Sequence, residues 1–105
     1  MTEDLRSRID GLVRGKRIVV FMKGTPAMPM CGFSAAAVKA LREAGAADLS
    51  SHDVLSDADL REGIKEYSSW PTIPQVYIDG KFVGGADIIR DLHRQGDLAR
   101  IVSGG

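Results

Sequence analysis

The sequence predicts one α/β domain in three layers, a central mixed sheet of about four strands flanked by helices. Three observations carry that expectation. The run Arg17-Ile18-Val19-Val20-Phe21-Met22 is short, apolar and rich in β-branched residues, as suits a strand covered on both faces. Stretches with a helical apolar stripe alternate with strand-like runs along the chain. Near the end, Asp79-Gly80 separates Gln75–Ile78 from Lys81–Val83, a two-residue hairpin signal that makes the last two strands antiparallel. With 105 residues, the chain reads as a single domain over residues 1–105.

The elements follow in order. Thr2 to Val13 is an amphipathic helix, with Leu5, Ile9, Leu12 and Val13 on one face. Thr2 is its cap, Glu3 and Asp4 suit its first turn, and Gly15 suits its exit. After the apolar strand, Lys23 through Met30 is punctuated by Gly24, Pro26 and Pro29 and is a loop. From Gly32 the composition turns helical up to Ala44, with Phe33, Ala37, Leu41 and Ala44 as the expected inner stripe and Gly45 as the stop. A strand is placed over Ser50–Val54. Ser56-Asp57-Ala58-Asp59 resembles a capping box with Asp in place of Glu, opening a helix that turns Leu60, Ile64 and Tyr67 inward. After the hairpin, Gly84-Gly85 leads into a helix from Asp87 to Gln95. Gly96 ends it, and Asp97 caps a last short helix, Leu98 to Val102.

Composition excludes several classes of function. Fourteen Lys and Arg balance fourteen Asp and Glu, which argues against binding through a nucleic-acid phosphate backbone. No apolar run approaches the ~18 residues of a membrane span, and Met1–Lys16 lacks the apolar stretch of a signal peptide. The expectation is a cytoplasmic protein with neither a nucleic-acid nor a membrane partner.

The chain contains one cysteine, so it has no internal disulfide and no metal site made from several of its own cysteines. Cys31 stands where a loop enters a helix, a place where unpaired amides and the helix dipole favour an anion. A thiol of pKa about 8.5 is only a few per cent ionised at pH 7, and one lowered to about 6 is mostly thiolate. Lys23, at the end of the buried strand, adds positive charge nearby. Free cysteines are commonly buried filler; this one lies in a Pro/Gly loop, off any periodic apolar face, which leaves the filler and the reactive readings equally open. Met22, Met28 and Met30 read as packing, as does Trp70. His52 and His93 have no ligand spacing, and Lys65 and Arg94 read as solvated surface.

Cys31-Gly32-Phe33-Ser34, preceded by Lys23-Gly24-Thr25 and followed by Trp70-Pro71-Thr72-Ile73-Pro74-Gln75-Val76 and Gly84-Gly85-Ala86-Asp87, resembles the CGFS-type monothiol glutaredoxins. The resemblance runs from the first helix nearly to the end of the chain. It implies a thioredoxin fold and a single glutaredoxin domain. Ser34 occupies the place of the second thiol of dithiol relatives, and a hydroxyl neither attacks a disulfide nor forms one. As an ordinary helix-start residue, Ser34 is read as satisfying an orphan N–H.

Two uses remain for Cys31: disulfide exchange with glutathione as the second thiol, or ligation of metal as thiolate. A [2Fe–2S] cluster usually takes four thiolates. The resemblance implies a homodimer bridged by one cluster, with Cys31 of each chain and two glutathiones as ligands, Gly32 leaving room beside the sulfur. It also implies the glutathione site. Lys23 and Arg61 hold the glycyl carboxylate; Ile73, before a cis Pro74, pairs with the cysteinyl backbone beside Thr72. Gly85, Ala86 and Asp87 hold the γ-glutamyl end. Alone, Lys23 and Arg61 read as surface residues, Pro74 as trans, and Gly84-Gly85 as a turn that also resembles an anion-binding nest. Position 86 is Ala, where some members of the family carry a second cysteine.

The leading expectation is a carrier that passes the cluster to iron–sulfur acceptor apoproteins in cluster biogenesis and iron homeostasis. The alternative is a glutathione-dependent thiol–disulfide oxidoreductase that removes glutathione through Cys31. A third use of the same site is regulatory, in complex with a BolA-like partner.

Overall fold

The computed structural model describes residues 1–104. Its elements are α1 (Glu3–Arg14), β1 (Ile18–Met22), α2 (Gly32–Glu43), β2 (Ser50–Asp53), a 3-10 turn (Val54–Ser56), α3 (Ala58–Ser68), β3 (Gln75–Ile78), β4 (Lys81–Gly84), α4 (Ala86–Arg94) and α5 (Asp97–Val102). The strands form one mixed sheet in the order β2-β1-β3-β4. β1 runs parallel to β2 and antiparallel to β3, and β3 runs antiparallel to β4. The expected mixed four-strand sheet with an antiparallel end is therefore present.

The two-residue period of β1 divides the core. Ile18, Val20 and Met22 face one layer with Val38, Leu41, Val76, Ile89 and Leu98, which brings α2, α4 and α5 onto that side. Val19 and Phe21 face the other layer with Ile9, Val13, Leu60, Ile64 and Tyr77, from α1, α3 and β3. All five residues of β1 are buried, as a strand covered on both faces requires. Phe21 and Tyr77 meet edge-on at 5.6 Å between ring centres.

Three local expectations are corrected. Asp57, not Ser56, caps α3, its Oδ1 accepting from the Leu60 amide at 3.1 Å. Ser56 is instead occupied in the preceding 3-10 turn, its hydroxyl donating to Asp53 O at 2.9 Å. Gly96, in the left-handed region, stands at the N-cap of α5, and Asp97 is that helix's first residue. Phe33 is 64% exposed, and the inner face of α2 consists of Ser34, Ala37, Val38, Ala40 and Leu41. Ala37 and Leu41 of the expected stripe are buried, and Phe33, one turn earlier at the start of α2, stands exposed. The hairpin is as expected, with positive φ at both Asp79 and Gly80.

The loop between β1 and α2 is folded back on itself. Thr25 and Met28 exchange backbone hydrogen bonds at 3.2 and 3.0 Å, and the Met30 amide donates to Lys23 O at 2.9 Å. Gly24 makes this possible at φ +87°. A Cβ there would lie 2.5 Å from Met28 O and 2.6 Å from Met30 N, both backbone atoms. Gly24→Ala is therefore expected to destabilise the fold by about 2–3 kcal/mol. Urea unfolding followed by circular dichroism checks this, and an unchanged midpoint would refute the steric argument.

Candidate functional site

The junction of β1 and α2 sets the position of the thiol. Cys31 is the N-cap of α2, with extended backbone (φ −155°, ψ 135°), and its carbonyl accepts from the Ala35 amide at 3.0 Å. An N-cap side chain lies beside the amides of the second and third helical residues, here Phe33 and Ser34. No full capping hydrogen bond closes from the sulfur, yet these N–H groups act on it electrostatically. The Ser34 amide is the largest influence holding the thiol below its ordinary pKa. The Phe33 amide, the Lys23 ammonium and the Ser34 hydroxyl add to it in that order, and partial burial opposes them.

Ser34 does more than start the helix. It is fully buried, and its hydroxyl accepts a hydrogen bond from the Lys23 amide at 3.1 Å. The orphan donor it satisfies thus belongs to the end of β1, not to its own helix. The next amide, Gly24, donates to Asp53 Oδ1 at 3.0 Å. Side chains from α2 and β2 consequently hold the chain where it leaves the sheet, with the Lys23 side chain at the mouth of a groove.

That groove has a volume of about 460 Å³, within the usual range for a small-molecule site. It gathers every residue expected to hold glutathione, Lys23, Arg61, the contiguous Thr72, Ile73 and Pro74, and Gly85, Ala86 and Asp87, while Cys31 itself is not among its lining residues. The Ile73–Pro74 peptide is cis. Ile73 makes no backbone hydrogen bond among the described residues, so its peptide groups are free to pair with a ligand backbone. Gly85 has little room: a Cβ would lie 3.2 Å from both Pro74 O and Trp70 Nε1. Asp87, largely exposed, lies 3.5 Å from Arg90. Arg61 Nε and Trp70 Nε1 are buried and have no hydrogen-bond partner among the described residues.

The groove also contains residues that sequence reasoning assigned elsewhere. Lys65, read as solvated surface, lines it beside Arg61 and reaches Glu62 at only 3.8 Å. The i,i+4 spacing from Arg61 on a helix was the signal that places both on one face. Trp70 lines the groove while packing on Phe82, with ring centres 5.7 Å apart. Phe33 and Ile88 form its apolar rim. Phe33 belongs to the Cys31–Ser34 motif although its stripe pointed inward, and no signal in the sequence marked Ile88.

Other candidates fall away from the site. His93 lies 3.2 Å from Glu43, and half-buried His52 stacks on Phe21, with burial first and Arg8 second lowering its pKa. Among the described residues there is no group of three or more His, Cys, Asp or Glu side chains able to hold a metal. No helix among the described residues is long and apolar enough to cross a membrane.

The thiol's ionisation follows from this geometry. The folded state releases the Cys31 proton more easily than the unfolded chain does. Ionisation thus supports the fold above the unfolded thiol pKa, and that support is lost as pH falls through the folded value. The iodoacetamide alkylation rate of Cys31 is expected to titrate below the ~8.5 of a free thiol. Lys23→Ala should raise that inflection only slightly, because the Ser34 and Phe33 amides remain. An inflection at or above the free-thiol value would remove the helix-start argument.

Comparison with known proteins bears on the family and the fold. A model of the glutaredoxin family matches residues 18–83. The chain is 53% identical over 93 residues to glutaredoxin-related protein 5, mitochondrial, of Danio rerio, covering 89% of this chain and 60% of that protein. It is 50% identical over 102 residues to a ycf64-like monothiol glutaredoxin of Synechocystis, covering 97% of this chain and 94% of that one. Among solved structures, reduced poplar apo GrxS14 in solution superposes with a TM-score of 0.81 at 44% identity, covering 95% of this chain and 91% of that chain. The sheet and its flanking helices are thus those of a thioredoxin-fold glutaredoxin. With one thiol at the cap of α2 and a buried hydroxyl at Ser34, the chain belongs to the glutaredoxin family, among its monothiol members.

Proposed function

We propose that this glutaredoxin carries a [2Fe–2S] cluster between two copies of itself and delivers it to acceptor apoproteins, with glutathione completing the ligand set. The observation that supports this most is the only thiol, its pKa lowered in part by Lys23 and Phe33, two residues that themselves line a groove suited to a peptide with two carboxylates and one amine. Lys23 and Arg61 would receive the glycyl carboxylate, and the Ile73 peptide groups the central backbone. The α4 N-terminus at Gly85 and Ala86 would receive the γ-glutamyl carboxylate, with Asp87 on the amine. Each chain then contributes one protein thiolate and one bound glutathione thiolate. Two chains make four, the number such a cluster takes.

The surroundings of Cys31 fit a shared cargo. Open space surrounds the Cβ position of Gly32, so the glycine is not needed for packing within one chain. Met28, Met30 and Phe33 are 70%, 63% and 64% exposed along the segment that carries the thiol. Exposed large apolar residues of this kind suit contact with a second protein surface. The same face would serve a second copy, an acceptor or a BolA-like partner in turn.

Glutathione-dependent disulfide exchange is the second reading, favoured by the lowered thiol pKa. Cys31 thiolate would attack the glutathione sulfur of a mixed disulfide and expel the target thiolate. A second glutathione thiolate would then release oxidised glutathione and regenerate Cys31.

Anaerobic reconstitution with iron, sulfide and glutathione separates the two readings. The carrier is expected to show a glutathione-dependent visible cluster spectrum together with doubling of mass, both lost in Cys31→Ser. A colourless monomer that turns over glutathionylated substrate would overturn the carrier in favour of the oxidoreductase.

A further inference from the structure

The Trp70–Pro74 wall of the groove has little backbone structure of its own. Its first residue closes α3, the Trp70 amide donating to Lys65 O at 3.2 Å and to Ser68 Oγ at 3.1 Å. The carbonyls that follow are held by one side chain. Gln75 Nε2 donates to Trp70 O at 3.0 Å and to Thr72 O at 3.3 Å, and its Oε1 accepts from the Tyr77 hydroxyl at 3.3 Å.

Gln75 is fully buried at the start of a central strand, paired in register with Phe21. A carboxamide in such a place is costly unless its donors and acceptor are used, and here both donors go to the groove wall. The other three residues of β3, Val76, Tyr77 and Ile78, fill the layers on either side of the sheet, which leaves the polar bonds to Gln75. Tyr77, whose pKa burial pushes up to about 12, remains a neutral hydroxyl donor throughout the physiological range. Between the two tethered carbonyls and the strand stands Ile73, with its peptide groups free.

We infer that Gln75 is a positioning residue for the ligand: it fixes Trp70 and Thr72 from behind so that the Ile73 peptide groups meet the backbone of glutathione. The inference rests on the proposed glutathione reading and names the residue that preorganises its site. It does not involve Cys31, whose ionisation is set by the first turn of α2 and by Lys23. Ligand affinity and thiol pKa should therefore respond independently to Gln75.

The test is an NMR titration of the intact chain with reduced glutathione, paired with the Cys31 pKa from thiolate absorbance. Gln75→Met, similar in size but without donors, is expected to bind glutathione about tenfold more weakly. Its thiol pKa should be unchanged, and the emission of Trp70, the chain's only tryptophan, should shift. Should Gln75→Met fail to fold, Tyr77→Phe takes its place: it keeps the ring packing, frees the carboxamide to rotate, and should weaken binding about two- to threefold. Unchanged affinity in the variant, with the wild type binding, overturns the inference alone. Affinity and thiol pKa moving together would also overturn it, as a general loosening of the fold. A wild-type chain that does not bind glutathione overturns the glutathione reading and the inference with it.

Discussion

A buried hydroxyl organises the working end of this molecule. The chain leaves β1 at Lys23 and must begin α2 at Gly32 against the same sheet. The strand's last free amide would be stranded between them without a partner. Ser34 Oγ accepts it at 3.1 Å from a fully buried position, and Asp53 accepts the Gly24 amide at 3.0 Å. Such a bond contributes about 1 kcal/mol net, but an unsatisfied buried donor costs about 1–3 kcal/mol. The junction is therefore narrowly specified. The end of β1, the first turn of α2 and the end of β2 converge at one place, and Cys31 becomes the helix cap as a result. The hydroxyl that stands where a dithiol relative has its second thiol is thus a structural part, which separates the reactivity of Cys31 from any intramolecular disulfide.

Charge is distributed with the same consequence. The chain is neutral overall, and many of its cations have carboxylate partners on the surface: Arg8 with Asp57, Lys16 with Asp48, Arg17 with Asp79, Arg100 with Asp97. Exposed pairs like these add little stability, but they leave the field of the molecule short-ranged. Lys23 and Arg61 have no such partner among the described residues, and Lys65 has only a distant one. A neutral protein thus presents cationic side chains without close carboxylate partners in its groove, where a small peptide with two carboxylates would place one of them. Overall charge is balanced, while the groove gathers Lys23, Arg61 and Lys65 locally.

Much of this was legible in the sequence, for reasons that differ by element. Unbroken apolar β1, the Asp79-Gly80 hairpin and the Thr2 cap of α1 carry strong local signals, and each stands where expected. The cap of α3 slipped by one residue because Ser56 and Asp57 are both good capping residues, and the 3-10 turn claimed the first. Ala37 and Leu41 of the expected stripe do face inward, and Phe33 departs from it because the first turn of α2 borders the groove, where Phe33 is a lining residue. The residues that line the groove were marked only through the family's motifs. Arg61, Ile73 and Asp87 come from separate elements, and nothing local in the chain announces that the fold unites them. Lys65 and Trp70 were missed there because a helix face and an aromatic packing residue look the same in sequence whether or not a groove lies beside them.

The lowered pKa of Cys31 bears differently on its two proposed uses, and the balance explains why one thiol could serve both. Depressing the pKa raises the fraction of thiolate at neutral pH but lowers the basicity, and hence the intrinsic nucleophilicity, of each thiolate. In a mixed disulfide with glutathione, the more acidic sulfur is the better leaving group, so Cys31 would be released readily by a second glutathione. As a metal ligand, a less basic thiolate competes poorly with a more basic one on an acceptor. Cargo held by Cys31 and by exchangeable glutathione would then pass toward proteins with stronger thiolate donors. Storage would call for the opposite design, a basic, enclosed thiol with its own neighbouring ligands. One acidic thiol at an open helix cap is instead suited to temporary bonds.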